Sequence, residues 1–247
     1  MRPIALSGII FACTFGGALL GAFLHRLLPD THLNPDSKEA VRMGMGLVAT
    51  TVALVLGLLI ASAKSFYDTG NTEVTELAAD TVLIDRILMH YGPETHEIRT
   101  TLRISLQELL KYTDAQSNKL HLAPGGQDAI YDGLVSLSPS NDSQKNLQMQ
   151  AENYALQIGH IRWLMFEQRS VPLPWQLLAT LAFWLTGLFV SFALFVRPNL
   201  TVVMSQFFAA MAVAGAVFLI AEMYQPYTGF IQLSDAPLRA ALLKLGQ

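Results

Sequence analysis

Charge is scarce in this chain. Of 247 residues only 14% are Asp, Glu, Lys or Arg, whereas 52% are hydrophobic, and the mean hydropathy is +0.38. Water-soluble domains carry roughly a quarter charged residues, so much of this surface must face a less polar solvent. Neither sign dominates: 16 Lys and Arg oppose 19 Asp and Glu, a formal net charge of -3. That leaves no basic field for nucleic acid, and no nucleic-acid partner is expected. Cysteine is nearly absent. Cys13 stands alone inside the first apolar run, which excludes an intrachain disulfide. The histidines His25, His32, His90, His96, His121 and His160 are scattered and form no HExxH pair, so neither a metal nor any other cofactor is expected. A phosphate loop, a G-x-S-x-G elbow and a dinucleotide fingerprint are also missing. Hydrolase and ATPase chemistry lose their signatures with them, and the chain is expected not to be an enzyme.

What is present is long apolar runs. A bilayer core about 30 Å thick takes about 20 apolar residues at helical rise. Four uncharged runs meet this length: Ile4 to Leu24, Met43 to Ala63, Val171 to Val196 and Leu200 to Ala221. The first exceeds a signal-peptide core and lacks a small-x-small cleavage site, which favours a retained anchor. Spans three and four are joined by Phe195-Val196-Arg197-Pro198-Asn199, a turn that predicts an antiparallel hairpin whose helices pack together. With the N-terminus inside, Arg2, Lys64, Arg162, Arg169, Arg239 and Lys244 lie in the cytoplasm, against Arg26, Lys38, Arg42 and Arg197 outside. The balance of basic residues therefore puts both termini in the cytoplasm. The expected fold class is all-α and integral to the membrane, with the lipid bilayer as partner. Its expected segments are spans one and two in 1–64, a helical cytoplasmic domain in 65–170, the hairpin of spans three and four in 171–222, and a cytoplasmic tail in 223–247 that packs on the helical domain.

Within 65–170 the pattern is helical. Leu77, Thr81, Ile84, Leu88 and Tyr91 recur every three or four residues, one stripe of a helix. No strong breaker separates this stripe from span two, which predicts a single rod ending at Gly92-Pro93. Ile98, Leu102, Leu106 and Leu109 mark a second helix; Leu147, Ala151, Tyr154, Ile158, Ile161 and Met165 mark a long last one. Pro124-Gly125-Gly126 and Ser138-Pro139-Ser140-Asn141-Asp142 are expected as loops, the latter closing on helix N-cap residues.

Span two carries the most informative face. Gly46, Thr50, Ala53, Gly57, Ala61, Lys64 and Asp68 follow at spacings of four or three, a stripe that is small or hydroxylic in its apolar part and charged at its end. Such a stripe allows close backbone contact between helices in lipid; it can equally line a conduit where identical helices meet around an axis. Gly17 and Gly21 in span one, and Ala212 and Ala216 in span four, point to close packing. Beyond span two, Glu73, Glu76 and Asp80 share a helix face that could hold cations or tune a vestibule, or be a wetted surface. Glu222 ends span four and is expected at the membrane interface, not buried. After it, Ser234 or Asp235 is the natural N-cap of a short helix with Pro237 in its first turn.

These pieces resemble a family. Gly46-Leu47-Val48-Ala49-Thr50 through Lys64-Ser65-Phe66-Tyr67-Asp68, then Glu76-Leu77-Ala78-Ala79-Asp80 and Leu83-Ile84-Asp85-Arg86, are similar to the bestrophin-like bacterial membrane proteins, catalogued as a domain of unknown function. The tail Gln225-Pro226-Tyr227-Thr228-Gly229-Phe230 with Ala236-Pro237-Leu238 is similar to theirs. More distantly, Tyr67-Asp68 resembles part of the F-R-N-x-A-x-Y-D-R-W-W stretch of bestrophin anion channels, with Thr69-Gly70-Asn71 in place of Arg-Trp-Trp. The resemblance implies a homo-oligomer of the bacterial inner membrane, pentameric as bestrophins are, passing inorganic ions and anions in preference to cations. It implies that span two lines the pore and that the helical domain extends it, with Asp68, Glu73, Glu76 and Asp80 in a vestibule. In one register Ala53, Gly57 and Ala61 stand at the neck, between Thr50 and Lys64; in a register one residue earlier, Val52, Leu56 and Ile60 do. A non-conducting scaffold or sensor that presents a partner-binding helical domain is the alternative.

Overall fold

The computed structural model of the chain describes residues 3–29, 35–114, 125–168, 173–225 and 229–246. Its elements are helices: α1 (Pro3–Leu27), α2 (Pro35–Tyr91), a 3-10 turn (Pro93–Thr95), α3 (His96–Asp114), α4 (Gly125–Val135), α5 (Asp142–Gln168), α6 (Trp175–Leu194), α7 (Leu200–Met223) and α8 (Ala236–Lys244). No strand occurs among the described residues. Four of these helices, α1, α2, α6 and α7, are long and apolar enough to cross a membrane.

Local chemistry explains where the helices stop. Gly92 takes φ +144°, a conformation that costs glycine little, and Pro93 opens the following turn. Two of the carbonyls left over at the end of α2 find donors: the Thr95 hydroxyl lies 2.7 Å from Leu88 O and 2.8 Å from Gly92 O, sharing its one hydrogen between them, and Gln144 Nε2 donates to Tyr91 O at 3.0 Å. The rod expected from span two to Gly92-Pro93 is thus one uninterrupted helix, α2. Asn141 caps α5, its Oδ1 accepting from the Gln144 N–H at 2.8 Å, while Gln144 Oε1 accepts from the Ser140 N–H at 2.8 Å. Asn199 caps α7 in the same way through the Val202 N–H.

The chain divides into two compact units. The first consists of Met1–Phe66, Pro172–Gln225 and Gly229–Ile231. Its core joins Ile10 and Ala18 of α1, Val52, Leu59 and Ala63 of α2, Leu181, Leu185 and Leu188 of α6, and Ala210, Val217 and Ile220 of α7. Here α6 and α7 each pack along α1 more extensively than on one another, where the two were expected to pack together. Glycine is the reason. A Cβ on Gly17 would stand 2.9 Å from Thr186 Cγ2, and one on Gly21 would strike the Val190 carbonyl oxygen, so the bare backbone of α1 admits α6 at close range. In α7 the buried small residues are Ala210, Ala214 and Ala221, whereas Ala212 is exposed and Ala216 only half-buried. The expected alanine pair therefore lies off the packed stripe.

The second unit consists of Tyr67–Val171, Pro226–Thr228 and Gln232–Gln247. Leu77, Ile84 and Leu88 of α2 meet Leu102 and Leu106 of α3, Ile130 and Leu134 of α4, Ala151, Ile158 and Ile161 of α5, and Leu238 and Ala241 of α8 in one apolar core. Helix α4 corrects the loop expected at Gly125-Gly126. Those glycines form its first turn, where low helix propensity weighs least because the backbone N–H groups have no intrahelical partners to lose. Pro124 lies outside the described residues.

Candidate functional site

On a helix, residues three or four apart share a face, and α2 carries two such faces. One is packed: Val52, Leu59 and Ala63 are buried in the core, while Leu47, Leu54 and Leu58 elsewhere on the helix are exposed. The other is the small-residue stripe. Gly46, Thr50, Ala53, Gly57, Ala61, Lys64 and Asp68 are all exposed on the single chain, and a Cβ on Gly46 or Gly57 would meet nothing within 4 Å. Thr50 turns its hydroxyl back to Leu47 O at 2.8 Å, satisfying it within the helix. The earlier register falls on different surroundings. Val52 is 5% exposed and Ile60 40%, with Leu56 packed half-buried against the core, so these three side chains do not share one free surface.

The acidic positions that follow are also split by their surroundings. Glu76 is exposed and Asp80 half-buried, but Glu73 is buried, its Oε1 accepting from Gln168 Nε2 at 2.6 Å. Its second oxygen, Oε2, is buried with no hydrogen-bond partner. Burial pushes the Glu73 carboxyl above its ordinary range and the charge of Glu76 adds to this, while the Gln168 hydrogen bond and His160 pull it back. Asp80 is pushed up by burial and by Glu76. Among the described residues no group of three or more His, Cys, Asp or Glu is placed to hold a metal ion.

The tail motif surrounds a residue placed differently from its expected position. Glu222 is 1% exposed, buried where an unburied residue was expected, and its carboxylate accepts the backbone N–H groups of Phe230 and Ile231. A buried carboxylate needs such partners, and the turn supplies them: Gln225 donates its N–H to Glu222 O at 2.9 Å and accepts the Gly229 N–H at 3.1 Å. Gly229 cannot carry a side chain here, since a Cβ would collide with Glu222 Oε2. Pro237 sits in the first turn of α8. Asp235 is at the N-cap position but its carboxylate turns to Arg239 at 2.7 Å. Pro226 and Tyr227 lie outside the described residues.

One functional neighbour of the stripe escaped sequence reasoning. Tyr224, just past α7, stacks on Phe66 with ring centroids 5.4 Å apart, and its hydroxyl lies 3.1 Å from Ser62 Oγ. Ser62 adjoins Ala61, so the end of α7 is tied to α2 beside the exposed face. The only signal in the sequence is an aromatic residue with a polar tip at the end of an apolar run.

Comparison with known proteins agrees with this architecture. A family model described as the Bestrophin-like domain matches residues 12–238. The crystal structure of a bacterial bestrophin homologue from Klebsiella pneumoniae, in a mutant form, is similar to this chain with a TM-score of 0.69 at 13% sequence identity, covering 96% of each chain. No curated protein matches. With the family model covering most of its length, the chain belongs to the bestrophin-like family.

Proposed function

We propose that this protein is a homo-oligomeric ion channel of the bacterial inner membrane, with the small-residue face of α2 lining an axial conduit between copies. The observation that carries the reading is a continuous small-residue face of α2, bearing Thr50, Ala53, Gly57, Ala61 and Lys64, that is left exposed on the single chain together with Leu47, Leu54 and Leu58 of the same helix. In lipid, four apolar helices have no reason to withhold a small, partly hydroxylic face from packing unless another copy or water covers it. Family membership supports the same class of function. Five copies around the axis, residues 65–170 and both termini in the cytoplasm, and preference for anions complete the proposal. Asp68, Glu76 and Asp80 would stand at the cytoplasmic vestibule, with Glu73 buried against Gln168 instead.

A non-conducting scaffold draws on the same observation, because an exposed small-residue face also fits a dry contact between copies. Purified protein reconstituted into vesicles decides between them. The channel reading expects five-fold particles and flux of monovalent anions above that of protein-free vesicles. Assemblies that pass neither anions nor cations across a range of voltage and pH would establish the scaffold.

A further inference from the structure

In the helical unit the core stripes of α2 and α5 both end on a polar residue. On α2 the buried positions Leu88, Ile84, Thr81 and Leu77 are continued one turn toward span two by Glu73, which is 7% exposed. On α5 the buried Ala155, Ile158, Ile161 and Met165 are continued three residues on by Gln168. These spacings put each polar residue on the face that packs its helix, where an apolar pair would carry no desolvation cost. The two side chains meet there, Gln168 Nε2 donating to Glu73 Oε1 at 2.6 Å. The other carboxyl oxygen, Oε2, is buried and has no hydrogen-bond partner.

That arrangement suits one protonation state. An amide N–H donates to a carboxyl group whether or not the group is ionised, so the hydrogen bond alone selects neither form. The unpartnered oxygen does select: a buried hydroxyl without a partner costs far less than a buried carboxylate oxygen without a donor. Among the described residues no Lys or Arg forms an ion pair with Glu73. The charged groups acting on it are opposed, Glu76 of α2 disfavouring ionisation and His160 of α5 favouring it, and burial outweighs both. Gln168 is the last residue of α5, and the chain enters its next apolar span at Trp175, so the pair fastens the segment that leads into the membrane. We propose that Glu73 and Gln168 form a proton-operated latch, closed on α5 while the carboxyl is neutral and released as it ionises and turns out to water.

The test uses the full-length protein in detergent and reads amide hydrogen exchange over Met165 to Gln168, each rate divided by its intrinsic value at the same pH. In the wild type, protection of these amides should fall about tenfold per pH unit above the ordinary carboxyl value of 4.5, then level off once the closed form ionises as well. Glu73→Gln keeps an acceptor for Gln168, cannot ionise, and should hold its protection at every pH. Should that variant not fold, Glu73→Leu continues the apolar stripe of α2 and is expected to behave alike. Glu76→Gln should move the transition to lower pH and His160→Gln to higher pH, because each removes one of the two opposed charges. Wild-type protection that does not change with pH, a fall shared by the folded Glu73 variants, or a pH dependence that vanishes in His160→Gln would overturn the proposal. None of these readouts depends on ion flux, so the latch stands or falls independently of the channel reading.

Discussion

Asp85 of α2 and Arg99 of α3 are joined by two hydrogen bonds, Nε to Oδ1 at 2.7 Å and Nη2 to Oδ2 at 3.1 Å. Asp85 Oδ2 also accepts the Gly246 N–H at 3.1 Å. Asp85 is buried and Arg99 partly so, and the pairing holds the guanidinium above its ordinary range. One carboxylate thereby gathers α2, α3 and the segment after α8 at the edge of the apolar core of the helical unit.

Asp85→Ala should therefore cost more than a surface pair would. It leaves a largely desolvated cation and a backbone N–H without their acceptor, for which about 3 kcal/mol is the expected scale. Thermal unfolding of the purified protein should show the loss, and Asp85→Asn, which keeps an acceptor, should lose less. Equal stability of Asp85→Ala and wild type would show that the pair contributes nothing net.

Glycines on α1 and α2 should respond in opposite ways. Gly21→Ala drives a methyl group into the Val190 carbonyl and against Ala193 Cβ at 3.0 Å, and backbone cannot swing aside as a side chain can. A loss of about 2 to 3 kcal/mol follows from overpacking. Gly57→Ala meets nothing within the chain, and alanine favours the helix by up to about 1 kcal/mol. Unfolding of the two variants in detergent should separate them in sign; a destabilised Gly57→Ala would mean that another copy packs tightly against that face.

Legibility in the sequence followed the length of each signal. The apolar runs, the α2 rod and its stop at Gly92-Pro93 follow from periodicity and breakers that act over one or two helical turns. So does the Asn141 cap, because a cap is a contact between residues three apart, whereas Asn199, read as part of a turn, also caps α7. Helix α4 was missed because only Ile130 and Leu134 among its described side chains are deeply buried apolar residues, too few to outweigh Gly125-Gly126. Glu222 was misplaced for another reason. A carboxylate at the end of an apolar run usually marks the interface, and what buries it here is a pair of N–H groups eight and nine residues later. Packing of α6 on α1 depends on Gly17 and Gly21 facing Thr186 and Val190, contacts between distant parts of the sequence that no local pattern encodes.

The raised Glu73 carboxyl gives a pH dependence with a definite sign. The folded protein holds a proton there that the unfolded chain releases near its ordinary value of 4.5. Between that value and the raised one the folded state binds more protons, so stability declines as pH rises through the window. Glu73→Gln retains an oxygen for Gln168 and removes the titration. The melting temperature of the wild type should fall, relative to Glu73→Gln, as pH rises from about 4.5 toward neutrality, with a residual slope from Asp80 that Asp80→Asn removes. Parallel curves for wild type and Glu73→Gln would show that the buried carboxyl is not raised.

Ala61→Ser separates a wet face from a dry one. Ala61 is exposed on the single chain, one turn before the Lys64–Asp68 end of the stripe and next to Ser62, whose hydroxyl lies by Tyr224. In a conduit the new hydroxyl meets water, so oligomer stability should stay within about 0.5 kcal/mol, the range of ordinary surface substitutions, while ion flux in vesicles changes. In a dry contact between copies the added atom must be accommodated by neighbouring backbone, at a cost of about 1 to 3 kcal/mol, and the oligomer should dissociate at lower temperature. Measuring oligomer melting and flux on the same preparation distinguishes the two. A changed flux at unchanged melting places Ala61 on the conduit. Early melting with flux per surviving oligomer unchanged places it in a helix contact and moves the conduit, if one exists, to another face of α2.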